Sequence, residues 1–336
     1  MNTTVTTHRL VIDAATLPGG DGKADLEVEC CLWGPSNRPV VVLMGGISAS
    51  RWAFDSVHGP GWWQDVMHDA GALSVLDHSF LTFEYVCWPD QPGAETPLIT
   101  TADQARVLRK IQQQLDLPQF HAVIGASYGG MVSLAFAALF PQALARLVCI
   151  AAAHKNSVKT KAWRLIQRQI MQLGQRHAES PAAQAEFTAL ARALAMVGYR
   201  GELEWQERFA SESAGRDVQA MASYLDHHGQ RFAARFCARR YAQLSQSIDY
   251  HQVDVASIQA DTLLIGFTSD QMVPTDQLQQ LHQALRSRSR LHLINSIYGH
   301  DGFLLEAEAL NCIFNTFFEE HNHDHIERNH RRASGY

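Results

Sequence analysis

Two hydrophobic patterns divide the chain. Residues 8–33 alternate polar and apolar positions around Pro18-Gly-Gly-Asp-Gly22, which predicts an antiparallel hairpin at a sheet edge. From Pro39 the pattern changes to the continuous apolar run Pro39–Met44, further strands at Phe80–Val86, Phe120–Ile124 and Leu147–Ala151, the apolar run Thr262–Phe267, and a last strand at Arg290–Asn295. Runs without alternation are expected of strands covered on both faces. Helical stretches at Thr101–Gln114, Met131–Phe140, Asp276–Ser287 and Leu304–Glu319 fall between or after them. Strands alternating with helices predict an α/β fold with a mostly parallel, doubly covered sheet.

Between about His154 and Gln252 the strand signal vanishes, and Ala, Gln, Arg and Leu recur with helical periodicity. We read residues 1–153 as the first part of an α/β core, 154–252 as an inserted helical cap, and 253–320 as the second part of the core. Such a cap would cover the carboxyl edge of the sheet. Residues 321–336 carry His321, His323, His325 and His330; with no core to fix them, they are expected to be a solvated, disordered tail.

Composition sets limits on function. The 336 residues are 46% hydrophobic and 18% charged, an ordinary globular balance. A formal charge of −6 argues against a nucleic-acid partner, which calls for a basic face. Six cysteines without paired spacing read as reduced thiols. The first residues show no charged leader followed by an apolar stretch, and no apolar run approaches ~18 residues. Together these predict a cytoplasmic protein that neither spans nor binds a membrane.

The chemistry enters at Gly125-Ala-Ser127-Tyr-Gly129, which stands after an apolar run and before a helical stretch. A serine at GxSxG spacing in that context is the sequence form of a nucleophile elbow, a sharp strand-to-helix turn that leaves Ser127 Oγ exposed. The motif is short, so its partners decide the case. Asp270 follows the run Thr262–Phe267, and His300 follows Arg290–Asn295, giving the order serine, acid, histidine. Ser127 would attack, His300 would take its proton, and Asp270 would hold the imidazole. Asp270 read as a plain turn former before Pro274 is the competing account. Gly45-Gly46-Ile47 follows the first core strand, so the amides of Ile47 and Tyr128 are the expected oxyanion donors. A tight turn without a catalytic role would explain the same glycines.

Further segments resemble the homoserine O-acyltransferase family of methionine biosynthesis. They are Gly61-Trp62-Trp63 with Ser79-Phe-Leu-Thr-Phe83, Ser269-Asp270 with Pro274, and Gly299-His300-Asp301-Gly-Phe303-Leu304. Within 154–252 the matching pieces are Arg168-Gln-Ile, Tyr199-Arg200-Gly-Glu-Leu, Arg208-Phe209, and Ser223-Tyr224 through Phe232. The resemblance runs over residues 38–318. It implies a catalytic triad of Ser127, Asp270 and His300. Arg200 would bind the amino-acid carboxylate and Asp301 its ammonium, with Tyr224 along the tunnel and Ser48 near the acyl group. It also implies acyl-CoA as co-substrate, L-homoserine as acceptor, and a homodimer; no motif calls for a metal or for a cofactor beyond CoA. Without the resemblance, Arg200 reads as a solvated surface residue and Asp301 as a turn acid.

Two departures from the family pattern, Cys87 through Pro97 and Ile47-Ser48-Ala49, lie near the expected mouth. They bear on donor and acceptor identity more than on reaction type. A succinyl donor would bury a second carboxylate and so need a cation; Arg51, Lys155, Lys159 and Arg164 are the candidates. The unusual mouth tilts the donor toward succinyl over acetyl. Serine as acceptor and water as acceptor, the latter making an esterase, are the alternatives.

Overall fold

The structure is a computed structural model that describes residues 4–66, 73–74, 77–89, 96–210 and 215–319. The His-rich segment 321–336 lies outside the described residues. Among the described residues eight strands form one sheet in the order β1-β2-β4-β3-β5-β6-β7-β8. They are β1 (Val5–Ile12), β2 (Leu26–Trp33), β3 (Val40–Met44), β4 (Ser79–Phe83), β5 (Ala122–Ala126), β6 (Arg146–Ile150), β7 (Asp261–Phe267) and β8 (Ser289–Ile294). The edge hairpin β1–β2 is antiparallel, as its alternation predicts, and β2 meets β4 antiparallel. From β4 to β8 every pairing is parallel.

The continuous apolar runs are explained by burial on both faces. In β5, Val123 joins the apolar layer under helices α1 (Thr101–Gln114) and α2 (Tyr128–Leu139), while Ala122 and Ile124 join the opposite layer with Phe314 and Phe317. β6 splits in the same way, Leu147 and Cys149 to one side and Val148 and Ile150 to the other. With successive side chains on opposite faces and neither face wet, alternation has nothing to record. The start of α1 is fixed by a capping box: Thr100 Oγ1 accepts from the Asp103 N–H at 3.1 Å, and Asp103 accepts from the Thr100 N–H at 2.9 Å.

Between β6 and β7 come α3 (Val158–His177), α4 (Pro181–Tyr199), α5 (Glu202–Phe209), α6 (Arg216–Ala233) and α7 (Ala238–Asp249). Ser157 and Ser180 cap α3 and α4, and Pro181 opens α4 where its missing N–H costs nothing. The chain leaves the sheet and returns to it side by side, with the Val253 N–H donating to His154 O at 3.0 Å and Lys155 bridging Gln252. After β7 come α8 (Thr275–Ala284) and, past β8, the short α9 (Gly302–Leu305). The helix expected over 304–319 is broken at Glu306, and residues 307–319 are helical beyond it. Among the described residues no helix is long and apolar enough to cross a membrane.

Candidate active site

The sharp turn between β5 and α2 is built from glycines. A Cβ on Gly125 would sit 2.1 Å from Gly129 O, and one on Gly129 would sit 2.2 Å from Met44 O. The first clash would keep α2 from turning back over β5, and the second would push it off the neighbouring β3. Ser127 between the two glycines has φ +55° and ψ −118°, a conformation that costs a non-glycine residue about 1–3 kcal/mol. Its N–H donates to Ile150 O at 2.9 Å, and its C=O accepts from the Met131 N–H at 3.1 Å. These bonds hold the strained residue and aim Oγ off the sheet edge.

His300 Nε2 lies 2.7 Å from Ser127 Oγ, and His300 Nδ1 lies 2.7 Å from Asp270 Oδ2. An ionised carboxylate only accepts, so Nδ1 carries the ring proton and Nε2 is free to accept from the serine hydroxyl. The other oxygen of Asp270 accepts from the Met272 and Val273 N–H groups at 2.7 and 3.0 Å. Both readings of Asp270 therefore hold, because one oxygen shapes the turn while the other holds the histidine. Burial pulls the His300 pKa down, but the charge and hydrogen bond of Asp270 outweigh it and leave it above the usual value.

The donors expected for an oxyanion stand at the same place. Ile47 follows β3 in the turn closed by the Ala49 N–H to Gly46 O bond, and Tyr128 is the first residue of α2. Among the described residues neither the Ile47 nor the Tyr128 N–H has a protein acceptor. At a helix start this is the normal condition of the first amides. The Tyr128 ring points away into the core, its OH 2.9 Å from Ser247 Oγ.

Two cavities meet at Ser127. The outer one, about 140 Å³, is lined by Ser48, Trp62, Arg192, Tyr199 and Asp301 together with His300. The inner one, about 40 Å³, runs under the insertion and is lined by Arg164, Gln167, Tyr199, Tyr241 and Asn156. Arg200 lies beside Asp301, Nη2 to Oδ2 at 3.5 Å, and its Nη1 lies 3.1 Å from Glu204 Oε1. That meeting depends on glycines in two separate segments: a Cβ on Gly201 would sit 2.1 Å from Ile297 O, and one on Gly299, at φ +61°, 2.5 Å from Tyr199 O. The α4–α5 junction thus packs backbone to backbone against the histidine loop. Burial raises the Asp301 pKa against the opposing pull of Arg200 and His300.

A family model described as alpha/beta hydrolase fold matches residues 60–307. A homoserine O-succinyltransferase of Xanthomonas campestris is 34% identical over 303 residues, covering 88% of this chain and 79% of the relative. A homoserine O-acetyltransferase of Thermobifida fusca is 29% identical over 289 residues, 76% of each chain. Identity at this level over nearly the whole length decides the family. The chain belongs to the homoserine O-acyltransferases. A crystal structure of homoserine O-acetyltransferase from Bacillus anthracis, at 15% identity, shares the fold with a TM-score of 0.84 over 94% of this chain and 97% of that one.

As a homoserine O-acyltransferase family member the chain holds several expected residues in place and displaces others. Ser127, His300, Ser48 and Asp301 line the cavities. Arg200 and Tyr224 are not among the lining residues of either cavity. Tyr224, expected along the tunnel, instead packs among Trp205, Phe209 and His228, with the Arg208 guanidinium 5.2 Å from its ring centre. Sequence reasoning missed Arg192, whose guanidinium lies 5.1 Å from the Tyr199 ring and 4.8 Å from that of Phe232. It also missed Tyr199, whose ring lies 5.7 Å from His300. Its place in the matched segment Tyr199-Arg200-Gly-Glu-Leu was the available signal for Tyr199.

Proposed function

We propose that this protein moves an acyl group from the thioester of an acyl-CoA to the γ-hydroxyl of L-homoserine, through an ester on Ser127. The observation that carries the reading is the hydrogen-bonded line from Asp270 through His300 to Ser127, ending where the two cavities meet. His300 Nε2 accepts the Ser127 proton as Oγ attacks the thioester carbon. The N–H groups of Ile47 and Tyr128 receive the charge that develops on oxygen. The C–S bond breaks, and the CoA sulfur takes the proton back from His300. Homoserine then loses its hydroxyl proton to His300, attacks the acyl-serine, and frees Ser127.

A zwitterionic acceptor needs an anion and a cation at fixed separation. Asp301 would receive the ammonium. Arg200, half shared with Glu204 behind the cavity wall, would bind the carboxylate once homoserine draws it from Asp301, and Arg192 lines the cavity beside Asp301. Transfer beats hydrolysis when the acceptor is held better than water. The reading carries with it a cytoplasmic homodimer in methionine biosynthesis, requiring no metal and no cofactor beyond CoA as co-substrate.

Intact-protein mass spectrometry after mixing with acetyl-CoA or succinyl-CoA tests it. The expected result is a covalent adduct of acyl mass, absent in Ser127→Ala and discharged by homoserine much faster than by buffer. No adduct from either thioester, or an adduct whose decay ignores homoserine, would overturn the reading.

A further inference from the structure

The inner cavity holds a charge imbalance. Arg164 Nε lies 2.7 Å from Asp249 Oδ1, and Arg168 Nη2 lies 2.5 Å from Asp249 Oδ2. One carboxylate thus serves two guanidiniums, and Arg164 is only 6% exposed. Arg164 is the one that lines the cavity with Ser127 and His300. Its remaining bond is Nη2 to Thr160 Oγ1 at 3.4 Å, so among the described residues Nη1 has no protein partner. Burial lowers the Arg164 pKa even with Asp249 alongside. A buried cation left half compensated is costly unless an anion completes it.

The other sequence candidates for that task are otherwise engaged or elsewhere. Arg51 is paired with Glu29 and Glu84. Lys159 lies 5.3 Å from the Trp163 ring centre, and neither Lys155 nor Lys159 is among the residues lining the cavities at Ser127. The cavity is also small: about 40 Å³ accommodates a few water-sized groups, hence a short chain rather than a fatty one. Gln167 and Asn156 add amides to the wall, while Tyr199, Tyr241, Met131 and Ile248 supply its apolar surface.

We propose that the inner cavity is an acyl pocket for a short dicarboxylic donor, with Arg164 binding the distal carboxylate of a succinyl group whose thioester carbon stands at Ser127. The assignment rests on the acyl-transfer reading and adds the donor class to it. Ser127 Oγ forms the ester bond, the C–S bond breaks, and the proton passes through His300 to the departing thiolate. The distal carboxylate stays ionised throughout, and with Asp249 it brings the two arginines to neutrality.

The test compares succinyl-CoA with acetyl-CoA on the full chain, in wild type, Arg164→Gln and Arg164→Lys, by kcat/KM with homoserine and by acyl-enzyme mass. We expect the wild type to prefer succinyl-CoA. Arg164→Gln should lower the ratio of succinyl to acetyl efficiency by ~10- to 100-fold, as for loss of a charge-assisted hydrogen bond; Arg164→Lys should restore part of it. A general folding defect lowers both donors together and leaves the ratio alone. An unchanged ratio, or a wild type that prefers acetyl-CoA, overturns the assignment. Acylation by acetyl-CoA alone would sink the donor class and spare acyl transfer, whereas acylation by neither would sink both.

Discussion

The carboxyl edge of the sheet and the helices inserted after β6 contribute to the same cavities by different physical means. At the sheet edge, position is set by backbone: Ser127 is held at positive φ by glycines that admit no side chain, and Asp270 and His300 stand at the ends of adjacent parallel strands. In the insertion, position is set largely by helix packing on helix, and what it contributes is charge: Arg164 and Arg192 line the cavities, Arg168 shares Asp249 with Arg164, and Arg200 reaches Asp301 where Gly201 lets the α4–α5 junction close on the histidine loop. Under the proposed function, the difference gives reaction type and substrate choice separate structural sources in this molecule. Changes at the edge should abolish turnover for every substrate, and changes in the insertion should redistribute it among substrates.

Asp270→Asn should give the largest effect at the edge. An asparagine amide donating to Nδ1 would force the ring proton onto Nε2, where it blocks acceptance from Ser127, so kcat should fall by ~10²- to 10⁴-fold for either thioester. The pH profile sharpens the point. His300 must be neutral to accept the serine proton, and Asp270 is what lifts its pKa over the pull of burial. In the wild type the acid limb of kcat/KM should therefore lie above the ordinary histidine value of about 6.5. In the variant, only the weaker pull of the Asp301 charge still opposes burial, and the limb should move to lower pH. A limb that stays put would mean that His300 does not govern it.

Arg200→Ala is the corresponding change in the insertion and should act on one substrate only. We expect kcat/KM for homoserine to fall by ~10- to 100-fold, from loss of a charged contact to the carboxylate. The single-turnover rate of Ser127 acylation should fall far less. Equal losses in both steps, measured by rapid-quench mass spectrometry, would erase the distinction between edge and insertion.

The same division explains what could be read in the sequence. Ser127, Asp270 and His300 were legible because each is a typed residue in the loop that follows a strand, and parallel strands deliver their ends to one edge whatever the rest of the chain does. The fold class was legible for a related reason, since burial on both faces leaves an unmistakable run. Arg164 could only be grouped with Arg51, Lys155 and Lys159, because the helix-to-helix packing that decides which cation reaches the cavity has no local signature. Arg192 was invisible: it stands in the helix α4 among Ala and Leu, and only the rotation of that helix turns it toward Asp301. Tyr224 entered by resemblance alone, and its packing among Trp205, Phe209 and His228 left no local mark in the sequence.

His251 gives the smallest effect on turnover and the cleanest test of the boundary between the two regions. It stands where the insertion rejoins the sheet, 2% exposed, with Nδ1 2.8 Å from Thr101 Oγ1 and Nε2 3.0 Å from Ala153 O. A carbonyl only accepts, so Nε2 donates to Ala153 and Nδ1 accepts from the threonine hydroxyl; the ring is neutral with both nitrogens used. Burial lowers its pKa to about 4, the opposite direction from His300, because here no carboxylate opposes the loss of water. The unfolded chain would protonate this ring near the ordinary value of about 6.5 and the folded chain would not. Between pH 6.5 and 4 the unfolded state therefore binds more protons, and folding stability should drop as pH falls, by up to about 3 kcal/mol from this residue. His251→Gln, which keeps one donor and one acceptor, should leave turnover at neutral pH within about twofold and flatten that slope in urea unfolding at pH 7 and pH 4.5. A slope as steep as the wild type's would place the acid sensitivity elsewhere, and a large loss of turnover would mean that the joint between sheet and insertion helps to position the reacting groups.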